Sequence, residues 1–540
     1  MIRRADLVAR LRASTFDLLV VGGGIVGAGI ARDAAMRGLK VALIEQGDFG
    51  SGTSSKTSKL IHGGLRYLEQ GQARLVFESL RERQTLRTIA PTYVRPLSLL
   101  LPIYAGDRRP AWKINAGLWL YDLLASGRTI RSHRMLSARR ALAVEPGLLV
   151  EGLQAAGVYA DCQMDDARVC LANILQAIHF GAVCGNYVRL RTLLQGGHRI
   201  CGGVAEDALT GVPFEIQATV VVNATGPWAD RTRRMSDASA APQLSPTKGI
   251  HLIVPRLTQE ALFVQGRADG RMLFLLPWGD YSLIGTTEAA VGDDALESLS
   301  AEADEVGYLL EEANRIVPGA HLDGDDVIAT FAGARPLLAS GGTNATQASR
   351  EHRIDVDPRG LVSVMGGKFT TYRLMAQQAV DRIVKEARWP AERCLTDQVS
   401  LLEAIQPVSI DHWKELTRAV EPDLLARFLS RYGAATLSLL RIILREPVLA
   451  QPLCPHHEVC AAELVHAIQA ELACTITDAL ARRTRIAWSS CQGLDALSTV
   501  AELFQRYGGI ARPQVEPQVE QYRAFLAHGL AFRNGHAVAA

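Results

Sequence analysis

Phe16 to Val21 is a short apolar run, interrupted only by Asp17, that stops at glycine. A run this short and this uniform predicts a strand buried on both faces, as in a parallel sheet. Gly27 to Gly38 carries small residues at helical spacing, and Lys40 to Glu45 returns to strand character. Strand, helix and strand make a β-α-β unit of about 30 residues. Leu75, Leu80, Leu86 and Ile89 then recur at helical spacing with arginines between them. Arg109 to Leu124 reads as a further helix bearing Trp112, Trp119 and Tyr121, and Val169 to Phe180 as another, entered from Asp165 and Asp166. Thr219 to Ala224 is one more buried strand.

The middle of the chain changes period. Segments 248–254, 272–277, 281–286, 353–357 and 361–365 alternate as strands do, and two of the turns between them predict hairpins, with tips at Pro277–Asp280 and Asp357–Gly360. From about Trp389 onward the pattern is helical. The fold class that follows is α/β: a Rossmann-like β-α-β domain, an inserted antiparallel sheet and a C-terminal α-helical domain. The expected boundaries are 14–390 for the first domain, with its β-α-β parts near 14–90, 150–235 and 350–388 and the sheet near 240–350, then 400–515 for the helices.

Composition narrows the class. At 540 residues the chain exceeds a single compact core. Its net charge is only +2, which excludes a strongly basic nucleic-acid protein. Nine cysteines are scattered without a framework, as expected of reduced thiols in the cytoplasm. The pair Cys454 and Cys460 reads as a loop entering a helix rather than as part of a metal site, and no metal is expected. The apolar segment Leu18–Ile30 is too studded with glycine for a signal peptide, and no run is long enough to span a membrane.

Gly22-Gly-Gly24-Ile25-Val-Gly27 fits G-x-G-x-x-G, follows a strand, opens a helix and is followed by Glu45 at the end of the next strand. That context identifies a dinucleotide fingerprint. Gly22 permits the turn, Gly24 lets a pyrophosphate approach the backbone, and Gly27 lets helix and sheet close. The helix N-terminus offers free N–H groups to the phosphates, and Glu45 suits the adenosine ribose. One fingerprint means one dinucleotide. Two more segments favour a flavin: Asn223-Ala224-Thr225-Gly226, ending a strand, and Gly366-Gly367-Lys368-Phe369-Thr370, where a strand runs into a helix. The hydroxyl-rich stretch Thr53 to Lys59, with Ser54, Ser55 and Ser58, lies just after Glu45 and completes the expected FAD contacts.

The segments TSSKTSKLIHGGLRYLE (53–69), VNATGPWAD (222–230), GARPL (333–337) and GGKFTTYR (366–373) resemble the signatures of the FAD-dependent glycerol-3-phosphate dehydrogenases, members of the D-amino-acid-oxidase-like flavoproteins. The resemblance runs in order from about residue 14 to about 510, and LARRTR (480–485) is similar to that family's helical domain. It implies oxidation of sn-glycerol 3-phosphate to dihydroxyacetone phosphate, with hydride passing from C2 to flavin N5. It assigns Arg335 and Arg66 to the substrate phosphate, Lys368 to the flavin edge and Arg350 nearby, although Glu351 and Asp355 are equally close partners for Arg350. His62, Gly63 and Gly64 are expected at the flavin, and Tyr67 and Thr286 as donors to the substrate. His251 suits proton abstraction, and equally well packing in the core or on the flavin.

The family's usual acceptor is a membrane quinone, which makes a peripheral position on the cytoplasmic face of the inner membrane the expected location. Arg108, Arg109 and Lys113 flank the Trp112–Leu124 segment, which mixes basic and aromatic residues as interfacial helices do. The same segment also reads as a domain-packing helix. A homodimer is expected. The rivals are an oxidase using O2, an amino-acid oxidase of the same fold, and a flavin-binding protein without turnover.

Overall fold

The computed structural model describes residues 3–533 apart from 268, 340–350, 402–409 and 419. Arg350 therefore lies outside the described residues. The first sheet has eight strands. Thr15–Val21 is central and pairs in parallel with Val41–Ile44 on one side and with Val212–Asn223 on the other. Leu18, Leu19 and Val20 have no solvent exposure, which is why the strand is apolar from Leu18 onward rather than alternating. Burying side chains of this size contributes about 1.5–3 kcal/mol each. The helix Ile25–Met36 packs between the helices Asp166–His179 and Tyr372–Ala387, covering one face.

The second sheet has ten strands and is not confined to 240–350. Its inserted part holds Thr247–Pro255, Ala261–Gln265, Met272–Trp278, Tyr281–Gly285, the two-residue Ala289–Ala290 and Ala329–Arg335. Leu60–Ile61, Val94–Tyr104, Arg134–Ser137 and Leu153–Met164 come from earlier in the chain. The pair Val94–Tyr104 and Leu153–Met164 was hidden by Pro96 and Pro102. Val94–Tyr104 is laddered along its length on one edge, but on the other only at Leu99 and Leu100. A half-paired strand tolerates proline.

The Asp357–Gly360 turn forms at its expected place, with Asp357 N donating to Leu361 O at 3.1 Å. The other hairpin is tighter than expected: Trp278 pairs with Tyr281, so the turn is Gly279-Asp280 alone. Gly279 has φ +63°, which a two-residue turn requires. The C-terminal helices enclose a core of their own around Phe428, Tyr432, Leu440, Leu464 and Phe504. Cys454 and Cys460 sit on a short hairpin that leads into the helix Ala461–Ala470. None of the described helices is long and apolar enough to cross a membrane.

Candidate active site

A cleft of about 980 Å³ runs between the two sheets. At one end the strand-turn-helix geometry is dictated by glycine. Gly22 takes φ +109°, and a Cβ on Gly27 would stand 1.9 Å from Gly22 O. Gly27 thus closes the helix onto the turn without itself lining the cleft. Gly22, Gly24 and Ile25 do line it, and Ile25 N donates to Ser54 Oγ at 2.9 Å. Glu45 accepts from Gly23 N at 2.7 Å and from Gly47 N at 2.9 Å, while burial pushes its carboxyl up from the usual range. Val188 to Arg191 close the cleft beyond Glu45, and Ala224, Thr225 and Gly226 form its floor.

The far end gathers the remaining residues. Thr53, Ser58, His62, Gly64, Arg66, Tyr67, Phe369 and Thr370 line it, together with His251, Thr286 and Arg335 from the second sheet. Arg335 Nη2 donates to Thr286 Oγ1 at 2.7 Å and to Thr287 O at 3.1 Å, which fixes the guanidinium plane. Lys368 Nζ stands 4.8 Å from the centre of the Tyr67 ring. Among the described residues Arg66 has no ion-pair partner. His251 is 3% exposed, stacks on Phe331 at 5.0 Å and shares a 2.8 Å hydrogen bond with Ser58 Oγ through Nε2. Burial, then the charges of Arg335 and Lys59, push its pKa well below the usual histidine value, so the ring is neutral.

Three sequence expectations are corrected. Lys59 does not face the cleft: its Nζ pairs with Asp166 at 2.7 Å and with Ser55 O at 2.6 Å, both in the protein interior. Ser55 points the same way, away from the cleft. Gly63 is a packing glycine, since a Cβ there would meet Tyr121 Oη at 2.4 Å, and its N–H donates to that hydroxyl. Gly366 and Gly367 do line the cleft, and the protein packs closely behind them: Glu351 O lies 2.6 Å and Met375 Sδ 2.4 Å from the two Cβ positions.

One residue was missed. Lys56 opens into the cleft in place of Lys59, and burial and Arg482 push its amine down to about 8. The two lysines are therefore expected to separate experimentally. Lys59→Met, which strands Asp166, should cost about 3 kcal/mol of stability, whereas Lys56→Met should leave the melting temperature nearly unchanged. Equal losses in thermal denaturation would contradict the assignment.

The donor set fits a dinucleotide: an acid for ribose hydroxyls at one end, helix amides between, and cations at the other. Residues 17–382 match the FAD dependent oxidoreductase family, and residues 368–514 match the C-terminal domain of alpha-glycerophosphate oxidase. The glycerol-3-phosphate dehydrogenase of Synechocystis is 36% identical, with 96% of this chain and 97% of that protein aligned. The chain belongs to the FAD-dependent glycerol-3-phosphate dehydrogenase family. The human mitochondrial glycerol-3-phosphate dehydrogenase is 34% identical over 98% of this chain and 76% of its own length. The structure of the Bacillus halodurans glycerol-3-phosphate dehydrogenase complexed with FAD superposes with a TM-score of 0.80 at 27% identity, covering 98% of this chain and 97% of that one. FAD is the cofactor of this family fold, and both the nucleotide-binding sheet and the C-terminal helices belong to it.

Proposed function

We propose that the chain oxidises sn-glycerol 3-phosphate to dihydroxyacetone phosphate and passes the electrons to a membrane quinone. The observation that carries this reading is the lining of the cleft, to which Arg66, Arg335 and Lys368 contribute together with a neutral histidine. A phosphate bears nearly two charges, and burying it requires paired cations with oriented donors. Arg335, held in plane by Thr286, suits bidentate contact; an amino-acid carboxylate would need only one such partner. FAD, when bound, supplies the two-electron acceptor for the hydride leaving C2. The protein holds the phosphate, excludes water and takes the hydroxyl proton. Ser58 lines the cleft and bonds His251 Nε2, so the proton passes to the imidazole directly or through that hydroxyl. Anaerobic addition of glycerol 3-phosphate is expected to bleach the flavin absorbance within seconds. A flavin that stays oxidised, yet is bleached by a 2-amino acid, would replace this reading with the amino-acid oxidase.

The quinone rests on a surface. The helix Ala111–Leu124 buries Ile114, Leu118 and Tyr121 and turns Trp112, Trp119 and Leu123 outward, each more than 60% exposed. Arg109 is bound to Glu69 through both Nε and Nη2 at 2.8 Å, so apolar area rather than basic charge dominates this face. Such a face suits the interfacial zone of a bilayer, and would place the protein on the cytoplasmic side of the inner membrane. Replacing Trp112, Trp119 and Leu123 by serine is expected to weaken binding to phospholipid vesicles by more than ~100-fold, from about 1.5–3 kcal/mol per side chain. Turnover with a soluble dye should persist. Vesicle binding that survives the triple substitution would remove this helix as the membrane face, and rapid re-oxidation by air alone would favour the O2-using oxidase.

A further inference from the structure

Asp478–Arg483 of the C-terminal region is a buried π-helical turn that packs against the helix Asp166–His179. Arg482 and Arg483 converge there on one carboxylate, that of Asp48. Arg482 Nε donates to Asp48 Oδ2 at 2.6 Å, and Arg483 Nη1 and Nη2 donate to Oδ2 and Oδ1 at 2.7 and 2.8 Å. Burial raises a carboxyl's pKa, but the two guanidinium charges outweigh it and hold Asp48 down at about 2. Hydrogen bonds of this charged kind are roughly twice as strong as neutral ones. Asp48 closes the loop that begins at Glu45. Between them, Gly47 N donates to Glu45 at 2.9 Å and Gly47 O accepts from Tyr187 N at 2.8 Å. The ribose end of the cleft is thus fastened from behind by the C-terminal helices.

A second contact reaches the other end. The Trp488 indole is anchored by Nε1 donating to Ala481 O at 2.9 Å. It meets Phe331 edge-on at 5.8 Å, and Phe331 stacks on His251 at 5.0 Å. Plane-to-plane and edge-to-face contacts fix ring orientation as well as burying area. The C-terminal region therefore contacts Asp48 and Phe331, which stand directly behind Glu45 and His251 of the cleft's lining.

We propose that the C-terminal helical domain is a positioning element of the FAD site: Arg482 and Arg483 set the Glu45 loop through Asp48, and Trp488 sets the plane of His251 through Phe331. Cofactor binding and docking of the C-terminal helices are then coupled, and the coupling is reciprocal. The Trp488 half rests on the proton-acceptor role proposed for His251; the Asp48 half needs only FAD.

Hydrogen exchange of the full chain, with and without FAD, reads the coupling. FAD is expected to slow exchange of amides in 461–483 about tenfold, although none of them lines the cleft. Protection confined to residues 15–64 and 219–226 overturns the proposal. Arg483→Gln is expected to weaken FAD binding about tenfold, with Arg483→Lys recovering part of the loss. Unchanged FAD affinity in Arg483→Gln overturns the Asp48 half, and if that variant fails to fold, exchange in the unaltered chain still decides. Trp488→Leu is expected to lower kcat about tenfold at unchanged FAD affinity, with Trp488→Phe restoring it. Unaltered kcat and pH profile in Trp488→Leu overturn the second half. An unaltered chain that glycerol 3-phosphate fails to reduce removes the substrate reading but leaves the exchange result standing.

Discussion

Arg335→Met is expected to lower kcat/KM for glycerol 3-phosphate by about two to three orders of magnitude, while FAD stays bound. The guanidinium is half-buried and ordered by Thr286 Oγ1, Thr287 O and Lys248 O. A guanidinium anchored in this way is held in one orientation at the wall of the cleft. Truncating one partner of a buried charge pair costs about 2–5 kcal/mol, because the other charge stays buried without its counter-ion. Arg335→Lys should recover little, since an ammonium cannot reproduce the planar fork. The loss should fall on both KM and kcat, because a phosphate held off its mark also displaces C2. The decisive control is a substrate lacking the phosphate. Glycerol should react equally poorly with the native enzyme and with the variant. A native-like kcat/KM for glycerol 3-phosphate in Arg335→Met would sink the phosphate assignment and shift it to Arg66 and Lys368.

The ends of the cleft differ in how openly the sequence wrote them. Gly22, Gly24, Gly27 and Glu45 were legible because sterics leave one solution: a 1.9 Å approach at Gly27 tolerates no other residue. Arg335 was legible only through the GARPL resemblance; nothing in the local period of Ala329–Arg335 distinguishes a strand-end arginine that faces a cleft from one that faces solvent. Lys59 and Lys56 show the limit. Both lie in one polar stretch, and their choice of face depends on Lys59 adopting φ +57°, which turns its side chain inward to Asp166, more than 100 positions away. Such a partner is invisible to any window of local sequence. The half-paired strand Val94–Tyr104, broken in pattern by Pro96 and Pro102, likewise takes its register from a distant segment, Leu153–Met164. Patterns that a single element must satisfy alone are readable; those that depend on a distant partner are not.

His251→Gln should be the second severe loss, about 10²–10⁴-fold in kcat, with KM and FAD content little changed. The ring is neutral because burial, Arg335 and Lys59 all disfavour its charged form. A neutral ring can accept the hydroxyl proton at any pH above its own depressed pKa. The sign of the pH dependence follows. Activity that requires neutral His251 is lost only on acidification through that pKa, well below the ordinary value of about 6.5. Substrate binding weakens the Arg335 contribution, because the phosphate offsets that charge, but burial remains and is the larger cause. The profile of kcat, which reports the bound complex, should therefore stay flat from pH 6.5 to 8 and fall only at lower pH. The profile of kcat/KM carries an additional limb near pH 6 from the substrate's own phosphate. Ser58→Ala separates the two routes for the proton. If the imidazole takes it directly, the substitution removes one hydrogen bond and costs a few-fold; if the hydroxyl relays it, the loss approaches that of His251→Gln. A kcat limb at or above pH 6.5, or a His251→Gln enzyme with native turnover, would return the histidine to a purely packing role against Phe331.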